Sequence, residues 1–297
     1  MHKVIQCVPN FSEGRNTKII NQLIAIAEST PGVSLADHTS DPCHNRTVLT
    51  LLGSPAGIKT AALALAKCAR DTIDLTLHQG QHPRIGAIDV LPLVPIKNIT
   101  MEECIALSKE IGQAIASQLD IPIYLYEESA TSEARRNLAN IRKSQFEGLA
   151  EKMQSPHWRP DYGPPHPHPT AGAIAIGARH PLIAFNANLS TSDINIADKI
   201  AKKVRQSSGG LKYCKAIGIM LKEQNMAQVS MNLVNYKETS IFSAIDLIKT
   251  EAARYGVQVV ETELIGLAPT KALIDCAQHY LQIKDFNFHQ HVLENHI

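Results

Sequence analysis

Short apolar runs alternate with longer stretches of helical spacing along the first half of the chain. The run Val4–Val8 is typical of a strand, and the apolar residues after it recur on one helix face until Pro31-Gly32. Ser54-Pro55 predicts the start of a second helix, and Thr100 with Glu103 predicts the capping box of a third. The further predicted elements of this half are the strands Val33–Ala36, Thr47–Leu52, Ala87–Ile96 and Pro122–Tyr126 and the charged helix Thr131–Gln145.

The second half returns to this alternation after a long irregular segment. Its predicted elements are the strands Ala173–Ala178, Leu182–Leu189, Ala216–Leu221, Gln228–Val234 and Val257–Gly266, helices around Ile200 and Ile245, and a last helix Thr270–Tyr280. From Leu182 onward the order is β-α-β-β-α-β followed by a helix, which is the ferredoxin-like order, and the first half is an elaborated version of it. The pattern predicts an α+β protein with two ferredoxin-like (βαββαβ) subdomains side by side, at 1–180 and 181–297, and a ligand groove between them.

Composition narrows the class of protein. The 297 residues are 44% hydrophobic and 19% charged, as in soluble globular proteins, and the net charge of +1 argues against a nucleic-acid or membrane surface. The six cysteines show no metal-ligand spacing, no apolar run has the length that spans a bilayer, and the first residues do not resemble a signal peptide. We therefore expect a cytoplasmic protein without nucleic-acid or membrane partners.

The irregular segment 156–172 is rich in proline and contains the only tryptophan, so it is either a linker or a binding loop. His166 and His168, with two more histidines nearby, raise the question of a metal site. However, Pro167 imposes extended geometry, and no HExxH motif or facial triad accompanies the histidines. We predict no metal here.

His82 lies in a polar loop between Gly80 and Gly86, directly before an apolar run. Because Pro83 pushes His82 toward extended geometry, the imidazole is expected to project from the loop, either as an acid–base group or as a solvated loop histidine. GxSxG, P-loop and Rossmann motifs are absent, which excludes the commonest nucleotide-dependent classes.

Charged residues crowd the connection that runs from Asp37 through Asp41 to Arg46. An arginine there suits a carboxylate ligand, and a carboxylate close to His82 would raise the pKa of the imidazole. The alternative is an ordinary turn in which Asp and Asn side chains cap backbone groups.

Six segments, taken together and in order, resemble the formiminotransferase family, the transferase portion of the formiminotransferase-cyclodeaminases. The likeness runs from Val4 to about Ala277. The segments are VPNFSEGR (Val8–Arg15), HNRTV (His44–Val48), HPRIGAIDVLPLVPI (His82–Ile96), IPIYLYEE (Ile121–Glu128), GARHPLIAFNANLST (Gly177–Thr191) and NMAQVSMNLVNY (Asn225–Tyr236).

The resemblance implies transfer of the formimino group from N-formimino-L-glutamate to N5 of tetrahydrofolate, a late step of histidine degradation. Tetrahydrofolate would then be a co-substrate, without a metal. The family's catalytic histidine falls on His82. Its assisting carboxylate falls on Thr39, so Asp37 or Asp41 is expected to serve, unless the assistance is absent. The family's folate-binding segment falls on Gly163, Pro164, Pro165, His166, Pro167, His168, Pro169, Thr170, Ala171 and Gly172.

Three arginines, Arg46, Arg84 and Arg179, are assigned by chemistry alone to the carboxylates of glutamate and of the folate tail. The resemblance also implies a homodimer. Since the sequence ends at Ile297 without a cyclodeaminase portion, a monofunctional transferase is expected. Two alternatives stay open. One is a related folate enzyme with a formyl donor (formylglutamate or 5-formyltetrahydrofolate), and the other is a non-catalytic folate-binding protein.

Overall fold

The computed structural model describes residues 2–296, so Met1 and Ile297, the outer ends of the two predicted subdomains, lie outside the described residues. The chain divides into two compact units, Met1–Arg179 (unit 1) and His180–Ile297 (unit 2). Each unit has its own sheet. The protein is α+β, as predicted.

Unit 1 contains a mixed seven-stranded sheet. Its strands are β1 (Val4–Cys7), β2 (Asn10–Phe11), β3 (Val33–Asp41), β4 (Arg46–Gly53), β5 (Ile88–Lys97), β6 (Ile123–Leu125) and β7 (Ile174–Ala178). Its helices are α1 (Thr17–Ser29), α2 (Pro55–Thr72), α3 (Met101–Leu119), α4 (Glu133–Arg136), α5 (Leu138–Arg142) and α6 (Leu149–Gln154).

The strand order of unit 1 contains a ferredoxin-like core. β1 pairs antiparallel with both β4 and β5, and β3 pairs with the outer side of β4, which gives the spatial order β5-β1-β4-β3 for a β-α-β-β-α-β chain. β2 lies beyond β1, between β4 and β5. β7 extends the sheet parallel to β5, and β6 pairs parallel with β7.

Unit 2 repeats the core order without the extension. Its strands are β8 (Ile183–Leu189), β9 (Cys214–Leu221), β10 (Met226–Leu233) and β11 (Val259–Ile265). Its helices are α7 (Ile194–Val204), α8 (Ile241–Ala253), α9 (Thr270–Leu281) and α10 (Phe288–His291). The sheet has the order β11-β8-β10-β9 with every pairing antiparallel. This is the same spatial order as the core of unit 1.

Local sequence signals account for the helices that support the unit 1 sheet. Ser54 accepts a hydrogen bond from the backbone N–H of Gly57 at the start of α2, and Thr100 and Glu103 form the predicted capping box of α3. The apolar face of α1 buries Leu23 completely. Burial of such a side chain contributes about 1.5–3 kcal/mol.

Two predicted elements differ from the structure. β3 continues to Asp41 instead of ending at Ala36. It pairs only with β4, and such an edge strand carries polar residues without the apolar run that marks a central strand. The predicted helix Thr131–Gln145 is broken at Asn137, whose extended backbone ends α4 and whose side chain accepts from the Ala139 N–H to begin α5. The other predicted strands agree with the structure to within two residues at either end.

Candidate active site

Four strand ends of unit 1 meet at one edge of its sheet. β2 ends at Phe11 and β3 ends at Asp41, whereas β4 begins at Arg46 and β5 begins at Ile88. Because β2 pairs antiparallel with β4 and β5, and β3 pairs antiparallel with β4, these ends lie side by side. The loops that converge at this edge are residues 12–16, 42–45 and 78–87.

Asn45 joins these three loops. Its side-chain oxygen accepts from the Gly14 N–H at 2.8 Å, and its side-chain amide donates to the Gln79 carbonyl at 3.1 Å. Its own carbonyl accepts from Nε2 of His78 at 3.0 Å. The backbone of Asn45 is left-handed, with φ of 50°, a conformation that asparagine tolerates better than most residues. One buried side chain therefore contacts the other two loops of the site.

The His82 imidazole lies between charged side chains at this edge. Nη1 of Arg46 is 3.4 Å from both ring nitrogens, so the guanidinium approaches the ring itself. Nε2 of His82 is 3.9 Å from Oδ2 of Asp89. Among the described residues, no other carboxylate lies within 4.0 Å of the ring nitrogens. The His82 side chain is 16% exposed, so it remains accessible to a ligand.

This environment lowers the pKa of His82 to about 3. Burial is the main cause, and the positive charges of Arg46 and Arg142 add to it, with smaller contributions from His44 and His78. The sequence-based expectation that a carboxylate would raise the pKa of this histidine was therefore wrong. Although Asp89 lies 3.9 Å from the ring, burial and the two guanidinium charges lower the pKa. His82 is therefore neutral at physiological pH, so one ring nitrogen is free to accept a proton, although this environment disfavours the imidazolium.

Asp89 is held by two partners. Its side chain is 2% exposed, its Oδ1 accepts from the Ile85 N–H at 2.8 Å, and its Oδ2 accepts from Nε of Arg142 at 2.8 Å and from Nη2 of the same residue. A buried carboxylate requires such a charged partner. Arg142 comes from the end of α5, so the break at Asn137 helps to bring it to the site.

Arg84 has a different carboxylate partner. Its guanidinium makes a two-pronged ion pair with Glu147, at 2.8 and 2.6 Å, and its Nε donates to Nδ1 of His78 at 3.0 Å. Nε2 of His78 is therefore the protonated nitrogen, which donates to the Asn45 carbonyl. Arg84 is buried and fixes the loop that carries His82.

Arg46 differs from both of these arginines. Among the described residues, no carboxylate oxygen lies within 4.0 Å of its guanidinium, and its Nε and Nη2 groups have no hydrogen-bond acceptor. Its side chain is partly exposed. Burial and the Arg142 charge lower the pKa of Arg46, which remains a cation at physiological pH.

The other predicted carboxylates lie apart from the His82 ring. Oδ1 of Asp41 accepts from the backbone N–H groups of Cys43 and His44, at 2.8 and 2.9 Å, and its Oδ2 pairs with the His44 imidazole. Asp37 pairs across the sheet with Thr50, four residues along β4 from Arg46, which is about 13 Å at the usual rise of a strand. Both residues stay predictions as catalytic groups.

Arg179 also lies away from His82 along the sheet. Its backbone N–H donates to the Leu93 carbonyl at 2.9 Å, and Leu93 is four residues along β5 from Asp89, again about 13 Å. Of the three predicted arginines, Arg46 contacts the His82 ring, whereas Arg84 lies in the same loop as His82 and contacts His78 and Glu147.

The predicted folate segment, 163–172, ends beside the His82 loop. Gly86 and Gly172 form an antiparallel bridge, with hydrogen bonds of 2.9 Å from the Ala87 N–H to the Ala171 carbonyl and from the Ala173 N–H to the Ile85 carbonyl. A Cβ atom on Gly172 would lie 2.0 Å from the Ile85 carbonyl oxygen, so only glycine permits this approach. The two predicted site segments are therefore joined by backbone hydrogen bonds within unit 1.

Within residues 2–296, no group of three or more His, Cys, Asp or Glu side chains has the arrangement of a metal site. In the same range, no helix combines the length and the apolar composition needed to cross a bilayer.

Comparison with known proteins identifies the family. The profile of the formiminotransferase domain, N-terminal subdomain, matches residues 4–179, and that of the formiminotransferase domain matches residues 184–295. The chain belongs to the formiminotransferase family. It is 55% identical to a glutamate formimidoyltransferase of Streptococcus pyogenes serotype M1, over 100% of this chain and 99% of that protein.

Two further relatives extend this result. A glutamate formimidoyltransferase of Thermoplasma acidophilum is 44% identical over 96% of this chain and 94% of its own length. The formimidoyltransferase-cyclodeaminase of Gallus gallus is 41% identical over 95% of this chain but only 53% of its own length. This formiminotransferase therefore matches two relatives over nearly their full length and about half of the bifunctional relative.

The sequence did not predict Asp89 and Arg142, the ion pair beside His82 in this formiminotransferase. Asp89 is the only charged residue in the apolar run Ala87–Ile96. Because a charge in a buried strand needs a partner, this position could have indicated a buried ion pair. Arg142 was seen only as part of a charged helix. Its pairing with Asp89 depends on a contact 53 residues away in sequence, which no local pattern specifies.

Proposed function

We propose that the protein transfers the formimino group of N-formimino-L-glutamate to N5 of tetrahydrofolate, which yields 5-formiminotetrahydrofolate and L-glutamate. The observation that carries the proposal is the full-length similarity to relatives named glutamate formimidoyltransferase. The convergence of the His82 loop and the segment 163–172 in unit 1 supports it. In this proposal tetrahydrofolate is a co-substrate bound by residues 163–172.

The proposed chemistry needs one group that first accepts and then returns a proton. N5 of the pterin attacks the formimino carbon, and a new C–N5 bond gives a tetrahedral intermediate. The proton on N5 passes to the neutral His82, which delivers it to the glutamate nitrogen. The bond between the formimino carbon and that nitrogen then breaks, and glutamate leaves as an amine. One proton leaves N5 and one reaches glutamate, so the reaction as a whole takes up and releases none.

His82 suits this role because it is neutral and partly exposed at the site. General acid–base catalysis of this kind contributes about 10²–10⁴-fold to the rate. Alignment of the two substrates can contribute about 7–11 kcal/mol more. The groove between the subdomains, the homodimer and the catalytic assistance of Asp37 or Asp41 are not needed for these steps and stay predictions.

A donor assay tests the proposal. Purified protein is given tetrahydrofolate with formiminoglutamate or with formylglutamate, and transfer is followed for each donor. We expect transfer from the formimino donor. Transfer only from the formyl donor would establish the alternative enzyme, and transfer from neither, with folate still bound, would establish a folate-binding protein.

A histidine variant tests the role of the site in the same assay. We expect His82→Ala to lower the transfer rate about 10²–10⁴-fold while folate affinity is kept. His289→Ala, at an exposed histidine of unit 2, is the matched control and should transfer at the wild-type rate. Equal rates for His82→Ala and wild type would contradict the assignment.

A further inference from the structure

Three arginines surround the His82 region, and only one has an open place for an anion. Arg84 is engaged by Glu147, and Arg142 is engaged by Asp89. Arg46 has no carboxylate within 4.0 Å among the described residues, although its Nη1 is 3.4 Å from both nitrogens of the His82 ring. A guanidinium with open Nε and Nη2 groups is suited to bind a carboxylate through two parallel hydrogen bonds.

The proposed donor supplies such an anion. N-Formimino-L-glutamate carries two carboxylates, and the net charge of +1 means that these carboxylates must be recognised by local cations. We infer that a carboxylate of the donor binds the guanidinium of Arg46, and that this ion pair allows His82 to hold a proton only while the donor is bound. The inference rests on the proposed function, because it names what the donor does to the acid–base group.

The charges that face the ring explain the coupling. Arg46 from β4 and Arg142 from α5 are the cations, Asp89 from β5 is the anion, and His44 from the β3–β4 turn and His78 from the loop before His82 complete the set. Asp89 is already balanced by Arg142. Asp41, which faces Arg46 across the turn, and Asp89 act on the Arg46 guanidinium only from beyond 4.0 Å. The positive charge of Arg46 therefore has no ion-pair partner beside the ring, and it opposes protonation of His82 by direct repulsion.

A carboxylate bound to Arg46 offsets the repulsion between Arg46 and protonated His82 during the step in which His82 carries the proton. Before the donor binds, His82 is a neutral base. Once the donor carboxylate pairs with Arg46, the imidazolium that forms when N5 gives up its proton faces an ion pair instead of a guanidinium without a directly bound carboxylate. An opposite charge within about 4–6 Å shifts a pKa by about 1–3 units. Donor binding and proton acceptance are thus linked through one side chain.

NMR titration of the His82 imidazole tests the link without any turnover. L-Glutamate, the proposed product, carries the same two carboxylates and is used as the probe. We expect the titration midpoint of His82 to rise by about 1–3 pH units when glutamate is saturating. A midpoint that does not move when glutamate is added would overturn the inference.

Arg46→Gln is the decisive variant. It removes the cation, so the midpoint of His82 in the free protein should rise, and added glutamate should bind at least about tenfold more weakly, the factor expected for loss of about 1.5 kcal/mol in a charged hydrogen bond. Arg136→Gln is the matched control, because Arg136 is an exposed arginine at the end of α4 that pairs with Glu128. It should bind glutamate like wild type and show the same shift. Wild-type glutamate affinity in Arg46→Gln would contradict the inference.

Different results would contradict the proposed transfer reaction and the proposed role of Arg46. If the glutamate-dependent midpoint shift is present but formiminoglutamate is not a donor, the proposed reaction is wrong and the coupled anion site stands. If transfer proceeds but the midpoint is insensitive to glutamate, the reaction stands and the role of Arg46 is wrong.

Discussion

The β3–β4 turn of unit 1 and the β9–β10 turn of unit 2 occupy the same place in two βαββαβ cores. Asp41 pairs with Arg46 on either side of the first turn, and Leu221 pairs with Met226 on either side of the second, so both turns have four residues. Both end in a left-handed asparagine, with φ of 50° at residue 45 and 48° at residue 225. The backbone of this turn is therefore common to the two units.

The surroundings of the two turns differ. Asn45 is 7% exposed, and its side chain is bonded to the loops 12–16 and 78–87. Asn225 is exposed, and the pair beside it is Leu221 with Met226 instead of an acid with a base. The core thus supplies the turn in both units, whereas the loops 12–16 and 78–87 of unit 1 bury Asn45 and bring charged residues to it.

The largest expected effect is at the asparagines themselves. Asn45→Ala leaves the buried Gly14 N–H without an acceptor and places alanine at positive φ, so we expect a loss of about 3 kcal/mol in the free energy of unfolding of unit 1. Asn225→Ala meets only the backbone penalty of about 1 kcal/mol, in unit 2. The only tryptophan, Trp158, lies in unit 1, so urea unfolding followed by its fluorescence reports on that unit.

Asn45→Asp is the conservative control, because it keeps the oxygen that accepts from Gly14 and should recover part of the loss. Far-UV circular dichroism follows the unfolding of both units and measures the cost of Asn225→Ala. Equal costs for the two alanine variants would show that Asn45 is no more than a turn residue.

Much of the fold, including the shared turn, could be predicted from local sequence. Strands such as β4 and β8 follow from short apolar runs, and the start of α3 follows from Thr100 and Glu103, because these signals act within a few residues. The end of β3 and the break at Asn137 were missed. At those places an edge position and a capping side chain override the apolar pattern.

The site could be predicted only in part. The sequence and its family resemblance indicated His82, Arg46 and the segment 163–172, and the structure brings the first two together and places the end of the third beside the His82 loop. Asp89 and Arg142 were not predicted, nor was the low pKa of His82. Those properties depend on which charges the folded chain places next to one another, and no spacing along the sequence carries that information.

The stability of unit 1 should also depend on pH through His82. In the unfolded chain His82 has a pKa near 6.5, whereas in the folded protein it is about 3. As pH falls below 6.5, the unfolded state takes up a proton that the folded state does not, so the stabilising effect of the neutral ring is lost between pH 6.5 and 3. Between pH 6.5 and 4.5 this loss should amount to about 2 kcal/mol.

The measurement is the stability of wild type and of His82→Gln at several pH values. Glutamine cannot titrate, so the variant should gain on wild type as pH falls, by the amount given above. His289→Gln serves as a control, because His289 is exposed, and its difference from wild type should stay constant with pH. A difference between His82→Gln and wild type that is independent of pH would show that the folded state does not disfavour the imidazolium.

The smallest effect is expected at Asp41, which occupies the position in unit 1 that Leu221 occupies in unit 2. A hydrogen bond from the backbone N–H of His44, together with those from the His44 side chain and the Cys43 N–H, lowers the pKa of Asp41. The Asp41 carboxylate therefore stabilises the fold above its ordinary pKa of 3.8, and this stabilisation is lost as pH falls below that value. The side chain is 45% exposed, and we expect Asp41→Asn to cost less than about 1 kcal/mol at pH 7. Urea unfolding at pH 7 and near pH 3.5 measures this change.

Transfer by the same variant separates two roles for Asp41. Asparagine keeps an oxygen that can accept from the N–H groups of Cys43 and His44, so a residue that only caps the turn should leave the transfer rate close to that of wild type. The sequence-based prediction of a catalytic carboxylate instead requires a large loss, of the order of 10²-fold or more. Since Asp41 contacts His44 and not the His82 ring, we expect the small effect, and a large one would mean that the turn of unit 1 moves toward His82 when the substrates bind.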